Sequence, residues 1–141
     1  MTESTRTATC CCGQLSYTVV GEPAESYLCH CQTCQRRIGS SHAFNTWFRT
    51  DQVLKQEGQP TIFEKSNEAG TVRMEFCPVC GTTVSWTHSS SPDSRSFAVG
   101  CFVDPEFPAP KTEYFTSRRQ YWMQPIDGAA QVATLGDDED E

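Results

Sequence analysis

The feature that most constrains this chain is the grouping of its cysteines. Nine of its 141 residues are cysteine, and eight of these fall within residues 10–12, 29–34 and 77–80. Cysteines that only fill a core rarely cluster this tightly, whereas sulfurs two or three residues apart can bind one metal ion. The first nine residues are polar and lack the apolar stretch of a secretory signal, so we expect a cytoplasmic protein. In that reducing compartment, clustered cysteines indicate metal or thiol chemistry rather than disulfides.

Two of the three clusters can together form one closed zinc site. The sequence Cys-Pro-Val-Cys-Gly at residues 77–81 has the spacing of a zinc knuckle, and Cys-Cys-Cys-Gly at residues 10–13 contains a second pair of sulfurs. Alternate residues of an extended strand point to the same side, which favours Cys10 and Cys12 over Cys11. We therefore predict a structural zinc held by four thiolates, from Cys10, Cys12, Cys77 and Cys80.

The third cluster differs because it offers three sulfurs rather than four. Cys29, Cys31 and Cys34 lie within six residues and can all reach one ion. Three protein ligands with one open position are typical of a catalytic zinc. The adjoining arginines, Arg36 and Arg37, would offset the negative charge of three thiolates and could bind a substrate carboxylate.

An alternative is that a fourth residue closes this second site. The candidates are Cys101, Cys11, His30 and His42, of which Cys101 is the strongest because it stands alone on a predicted strand. His30 lies between two predicted ligands, so we expect its ring to point away from the metal. A closed second site would indicate a non-catalytic zinc scaffold or interaction module.

The rest of the sequence predicts a mainly β fold of short antiparallel strands. Strand-like segments alternate with turns, the clearest hairpin being residues 61–64 with 71–76, and no segment keeps helical periodicity over three turns. A short helical turn is expected at residues 51–55. Composition predicts disorder at residues 1–8 and in an acidic tail at residues 134–141, leaving one zinc domain over residues 9–133.

Charge and hydropathy exclude two classes of partner. The net charge is −7, and the chain has no surplus of basic residues with which to bind a phosphate backbone, so we expect no nucleic acid partner. No apolar run approaches the roughly 18 residues of a membrane span, so we expect no membrane partner. The oligomeric state is open, and a homodimer is compatible with the sequence.

Three motifs and a closing pattern resemble one known family in their order. The motifs are Cys-x-Cys-Gly near the N-terminus, Cys-His-Cys-x-x-Cys-x-Arg-x-x-Gly-Ser at residues 29–40, and Phe-Cys-x-x-Cys-Gly-Thr at residues 76–82. The closing pattern runs from Val99 to Trp122. The chain resembles the glutathione-dependent formaldehyde-activating enzyme family, also called the CENP-V/GFA domain family, over roughly residues 8–123.

The resemblance implies an Mss4-like fold that two zinc ions per chain stabilise. It implies that Cys10, Cys12, Cys77 and Cys80 hold the structural zinc. It also implies that Cys29, Cys31 and Cys34 hold the catalytic zinc, whose open position binds the sulfur of glutathione. The family's named activity joins formaldehyde to glutathione, which is a carbon–sulfur lyase reaction run in reverse.

From these observations we expect a zinc-dependent carbon–sulfur lyase or synthase that acts on glutathione or a glutathione adduct. Arg36 and Ser40, just after the ligand loop, are the expected glutathione contacts. The proton could be handled by His30, His42, Tyr114 or water. The sequence departs from the family pattern at Cys101 and in the triple cysteine at residues 10–12, which leaves the identity of the electrophile open.

Overall fold

The computed structural model describes residues 4–135 as a chain of short strands with one α-helix. The helix is α1 (Gln32–Ile38), and single turns of 3-10 helix occupy Thr50–Gln52, Val99–Phe102 and Thr116–Arg118. The strands are β1 (Thr5–Thr9), β2 (Ser16–Val20), β3 (Glu25–Cys29), β4 (Ala43–Arg49), β5 (Val53–Glu57), β6 (Thr61–Asn67), β7 (Gly70–Phe76), β8 (Thr83–His88), β9 (Ser94–Ala98), β10 (Thr112–Tyr114) and β11 (Ala130–Val132). The predicted mainly β class is confirmed, and the architecture is consistent with the Mss4-like fold.

The described residues divide into two compact units. The first unit contains residues 4–24 and 46–105, and the second contains residues 25–45 and 106–135. Strand β4 carries the chain from the second unit into the first. That residues 9–133 act as one zinc domain stays a prediction.

Antiparallel pairing builds the first unit. One sheet has the order β1-β2-β5, and strands β9, β8, β7 and β6 follow one another in a second group. The predicted hairpin is present, since β6 and β7 pair from Thr61 with Phe76 to Asn67 with Gly70. The Cys77–Cys80 knuckle follows directly after β7 and leads into β8, so the hairpin strands fix its position.

A cluster of aromatic rings forms the core of the first unit. Phe97 has no exposed surface, and its ring centroid lies 5.6 Å from Tyr17, 5.9 Å from Phe48 and 5.8 Å from Phe102. The steep interplanar angles of these pairs place ring edges against ring faces, which is a favourable arrangement. This packing joins β2, β4 and β9 to the 3-10 turn Val99–Phe102.

Parallel pairing in the second unit differs from the antiparallel strands that the sequence predicts. Strand β10 runs parallel to β3 on one side and to β11 on the other, with Thr112 opposite both Tyr27 and Ala130. Long stretches of chain separate these strands, which a parallel pair requires, and turn signals alone do not reveal such a pairing. The arrangement brings β10 alongside the end of β3 at Cys29.

Two local predictions are corrected by the structure. Residues 5–8, expected to be disordered, form strand β1 together with Thr9. Strand β2 supplies their backbone partners, with Thr5 opposite Val20 and Thr9 opposite Ser16. The turn expected at residues 51–55 is a 3-10 turn that ends at Gln52, and the chain then continues as β5 paired with β2. The predicted acidic tail lies largely outside the described residues.

No helix among those described is long and apolar enough to cross a membrane.

The helix α1 was not expected because it is too short to show a period. It begins after Cys31, whose sulfur accepts a hydrogen bond from the Cys34 amide at 3.3 Å. It ends at Gly39, which has a φ of 63° in the left-handed region that glycine adopts readily. The ligand motif itself therefore starts the helix.

Candidate metal centres

The first centre brings together the four cysteines that the knuckle spacing predicts. The sulfurs of Cys10, Cys12, Cys77 and Cys80 all lie within 4.8 Å of one another, all in the first unit. The Sγ atoms of Cys12 and Cys77 are 3.6 Å apart, and those of Cys10 and Cys12 are 3.8 Å apart. Four sulfurs at these distances can surround one tetrahedral zinc ion.

The geometric reason for pairing Cys10 with Cys12 differs from the predicted one. Residues 10–13 form a tight turn rather than an extended strand, because the Gly13 amide donates to the Cys10 carbonyl at 3.0 Å. The turn carries both sulfurs to the same side and leaves Cys11 exposed. The Cys11 amide instead donates to the Thr82 hydroxyl at 3.1 Å.

Backbone amides stabilise negative charge on these sulfurs. The amides of Val79 and Cys80 donate to Cys77 Sγ at 3.3 and 3.4 Å, and the Leu15 amide donates to Cys10 Sγ at 3.3 Å. Hydrogen bonds from the Thr82 hydroxyl and amide lower the pKa of Cys80 to about 5. A hydrogen bond from the Gln14 amide lowers the pKa of Cys12, but burial and hydrogen bonds to the other three sulfurs raise it to about 12. The surrounding donors thus favour the thiolate, the form that binds zinc, at Cys77 and Cys80.

The second centre consists of three cysteines in the second unit. The sulfurs of Cys29, Cys31 and Cys34 also lie within 4.8 Å of one another. Cys29 ends β3, Cys31 caps α1, and Cys34 lies in its first turn, so one strand end and one helix start position all three. Cys29 and Cys31 are each only 7% exposed.

The three thiols share protons in a way that suits a cation. Hydrogen bonds from Cys29 and Cys31, with the nearby Arg37 guanidinium, lower the pKa of Cys34 well below its usual range. Hydrogen bonding to Cys31 and Cys34 raises the pKa of Cys29 well above its usual range, because its proton supports their negative charge. The three sulfurs thus share their protons, and a bound cation would take the place of these protons. This donor set fits zinc.

No fourth histidine, cysteine or carboxylate ligand from residues 4–135 joins this group. The His30 ring binds Glu113 through Nε2 at 2.8 Å, and His42 Nδ1 lies 2.9 Å from the Ser41 hydroxyl. Cys101 lies in the 3-10 turn Val99–Phe102 of the first unit. The closed second site therefore lacks a ligand among the described residues.

The remaining candidate residues differ in how they relate to the three cysteines. Arg37 Nη2 is 3.8 Å from Cys34 Sγ, whereas Arg36 and Ser40 are exposed. The Tyr114 hydroxyl donates to a carboxylate oxygen of Glu25 at 3.0 Å. The charge-balancing role predicted for the arginine pair thus has a contact for Arg37 only. The glutathione contacts predicted for Arg36 and Ser40 stay predictions.

Sequence reasoning missed the buried carboxylate of Glu113. It is 1% exposed and receives hydrogen bonds from both the His30 ring and the C-terminal segment. A single acidic residue in a three-residue strand gives no pattern, and its partners are 83 and 13 residues away in sequence. Only the parallel pairing of β10 with β3 reveals it.

A mainly β chain with one four-cysteine group and one three-cysteine group belongs to the class of proteins whose clustered cysteines could hold zinc. The model of the glutathione-dependent formaldehyde-activating enzyme family matches residues 5–118, and the chain belongs to this family. A crystal structure of a Rhodobacter sphaeroides protein is similar in fold, with a TM-score of 0.55 and 23% identity over 70% of this chain and 91% of that chain. No curated protein sequence matches the chain.

Proposed function

We propose that this protein is a zinc-dependent carbon–sulfur lyase or synthase acting on glutathione or a glutathione adduct. The observation that carries the proposal is the three-cysteine group without a fourth ligand among the described residues. Such a centre leaves one position for a sulfur from the substrate. Family membership supports glutathione as the source of that sulfur. Two zinc ions per chain follow, one structural at the four-cysteine group and one catalytic at the three-cysteine group.

The proposed reaction needs no reactant other than glutathione and formaldehyde. In the direction of synthesis, the thiolate sulfur of glutathione attacks the carbonyl carbon of formaldehyde. A carbon–sulfur bond forms, the π bond of the carbonyl breaks, and its oxygen takes up the proton that the thiol lost, giving S-hydroxymethylglutathione. The lyase direction reverses each step. A bound zinc ion would lower the pKa of the incoming thiol, so that no strong base is needed to remove its proton.

The residues of this chain would divide the remaining tasks. Cys29, Cys31 and Cys34 would hold the ion, and the Arg37 guanidinium beside Cys34 would offset the charge of the thiolates. Arg36 and Ser40 remain the proposed glutathione contacts. The proton that reaches oxygen is assigned to water or His42, since the His30 ring is already bonded to Glu113. Cytoplasmic location and the lack of a nucleic acid or membrane partner stay predictions, and the oligomeric state stays open.

Exchange spectroscopy with carbon-13 formaldehyde and glutathione tests this proposal. The zinc-loaded protein should speed the interconversion of free formaldehyde and S-hydroxymethylglutathione well above the uncatalysed rate. Cys31→Ser should abolish the acceleration, because it removes one of three ligands. Cys11→Ser is the matched control, since it removes an exposed thiol outside both groups. Equal acceleration by both variants would refute the assignment of the site.

The same experiment with larger aldehydes examines the electrophile. Acceleration with a larger aldehyde and none with formaldehyde would keep the carbon–sulfur chemistry and change the substrate. No acceleration with any aldehyde, although two zinc ions are bound, would support the non-catalytic scaffold instead.

A further inference from the structure

The residue between two of the predicted catalytic ligands is held at three points. His30 follows Cys29, precedes Cys31 and has no exposed surface. Its amide donates to the Tyr114 carbonyl at 3.0 Å, and its carbonyl accepts from Gln35 Nε2 at 2.8 Å. Its ring contacts a carboxylate oxygen of Glu113 at 2.8 Å. Because Cys29 and Cys31 are bonded to it in the chain, fixing His30 fixes the spacing of their sulfurs.

Glu113 is bonded on both of its carboxylate oxygens. Oε1 lies 2.8 Å from His30 Nε2 and 3.3 Å from Arg119 Nη2. Oε2 accepts from the Ile126 amide at 2.7 Å and from Gln131 Nε2 at 3.0 Å. One side chain therefore ties the ligand loop to residues 119–131, in addition to the pairing of β11 with β10 and the hydrogen bond from Gln120 to Gln35.

The contact between His30 and Glu113 suits a positioning role. Burying an unpaired carboxylate is costly, but four donors surround this one, so it remains ionised and its bonds are charge-assisted. His30 Nδ1 is buried and has no hydrogen-bond partner among the described residues. The ring therefore makes one hydrogen bond, through Nε2, and offers no bonded path for passing a proton onward.

We propose that Glu113 is a positioning residue for the three-cysteine metal centre, which it supports through His30, and that it couples zinc binding there to the docking of residues 119–131. The proposal rests on the proposed function only in taking the three cysteines to bind zinc. It predicts that loosening the carboxylate releases zinc from this centre and that removing zinc loosens the C-terminal segment. Thermodynamic linkage requires the two effects to be reciprocal.

Zinc release to a chromogenic chelator tests the first half of the proposal. Release from the zinc-loaded full chain should show two phases, and the phase missing in Cys31→Ser belongs to the three-cysteine centre. Glu113→Gln should speed that phase by about tenfold, as loss of an outer hydrogen bond commonly weakens metal binding by that much. The phase from the four-cysteine centre should keep its rate and serves as an internal control.

Two comparisons separate positioning from a general loss of stability. Tyr114→Phe removes a hydrogen bond to Glu25 in the same unit without touching the His30 ring, so it should leave both phases of zinc release unchanged. His30→Ala should speed release as Glu113→Gln does, and the double variant should add little, because both act through one contact. His30→Gln, which keeps a donor, should restore part of the slow release. Additive effects, or equally fast release from Tyr114→Phe, would overturn the proposal.

Hydrogen exchange in the wild-type protein tests the coupling without any variant. Removing zinc from the three-cysteine centre should raise exchange at the Ile126 amide and across residues 119–131. Unchanged exchange there would overturn the coupling even if the variants fail to fold. Neither measurement depends on glutathione, so loss of the lyase proposal would leave this one standing.

Discussion

The two metal centres should contribute unequally to stability, because they close loops of very different length. Zinc at the first centre joins Cys12 to Cys77, which are 65 residues apart in sequence. A zinc ion treated as a cross-link lowers the conformational entropy of the unfolded chain. Closing a loop of about 65 residues stabilises the folded state by about 4.3 kcal/mol, whereas closing a loop of about five residues stabilises it by about 2 kcal/mol. The second centre closes only such a short loop.

A matched pair of double variants measures the difference. Cys77→Ser with Cys80→Ser removes two sulfurs from the first centre, and Cys31→Ser with Cys34→Ser removes two from the second. Urea denaturation of both zinc-treated proteins, followed by tryptophan fluorescence, should show the first variant losing about 2 kcal/mol more of its unfolding free energy than the second. Equal losses, or a larger loss from the second variant, would refute the distinction between a structural and a functional centre.

Three further perturbations test the packing and charge of the fold. Phe97→Ala should lower the unfolding free energy by about 3–5 kcal/mol in urea denaturation, because it empties a site enclosed by aromatic rings. Burial by itself raises the pKa of Glu113, but hydrogen bonds from the Ile126 amide and other donors lower it to about 2. Stability from this carboxylate is therefore present above pH 4.5 and falls by about 3 kcal/mol as the pH drops toward 2, a loss that urea midpoints should show to be smaller in Glu113→Gln. Gly58→Ala should lower the free energy of unfolding by more than about 1 kcal/mol in urea denaturation, and clearly by more than Gly13→Ala does. Both glycines have a φ of +90°, but only a Cβ at position 58 would clash with the backbone oxygen of Gln14.

The cysteine groups could be predicted from sequence because ligand spacing is a local property. A knuckle with two residues between its sulfurs, or three sulfurs within six residues, specifies a metal site before any fold is known. Within each group the structure places the sulfurs no more than 4.8 Å from one another. A tight turn at residues 10–13, rather than the predicted extended strand, brings Cys10 and Cys12 to the same side.

What the sequence could not predict depends on contacts between distant segments. Strand β1 exists because β2 pairs with it, and its polar composition alone indicates disorder. The parallel position of β10 and the buried contact of Glu113 with His30 likewise arise from chain segments that meet only in the folded protein. Helix α1 is short, and the sequence indicates a metal ligand at Cys31 rather than the helix cap that this residue also provides.

Native mass spectrometry of the zinc-loaded chain, with and without glutathione, tests the central claim most directly. We predict two zinc ions per chain and one bound glutathione, with the glutathione lost in Cys31→Ser while the zinc of the four-cysteine centre is retained. Two zinc ions with no uptake of glutathione would contradict an open three-cysteine centre. A single zinc ion per wild-type chain would contradict the second metal centre itself.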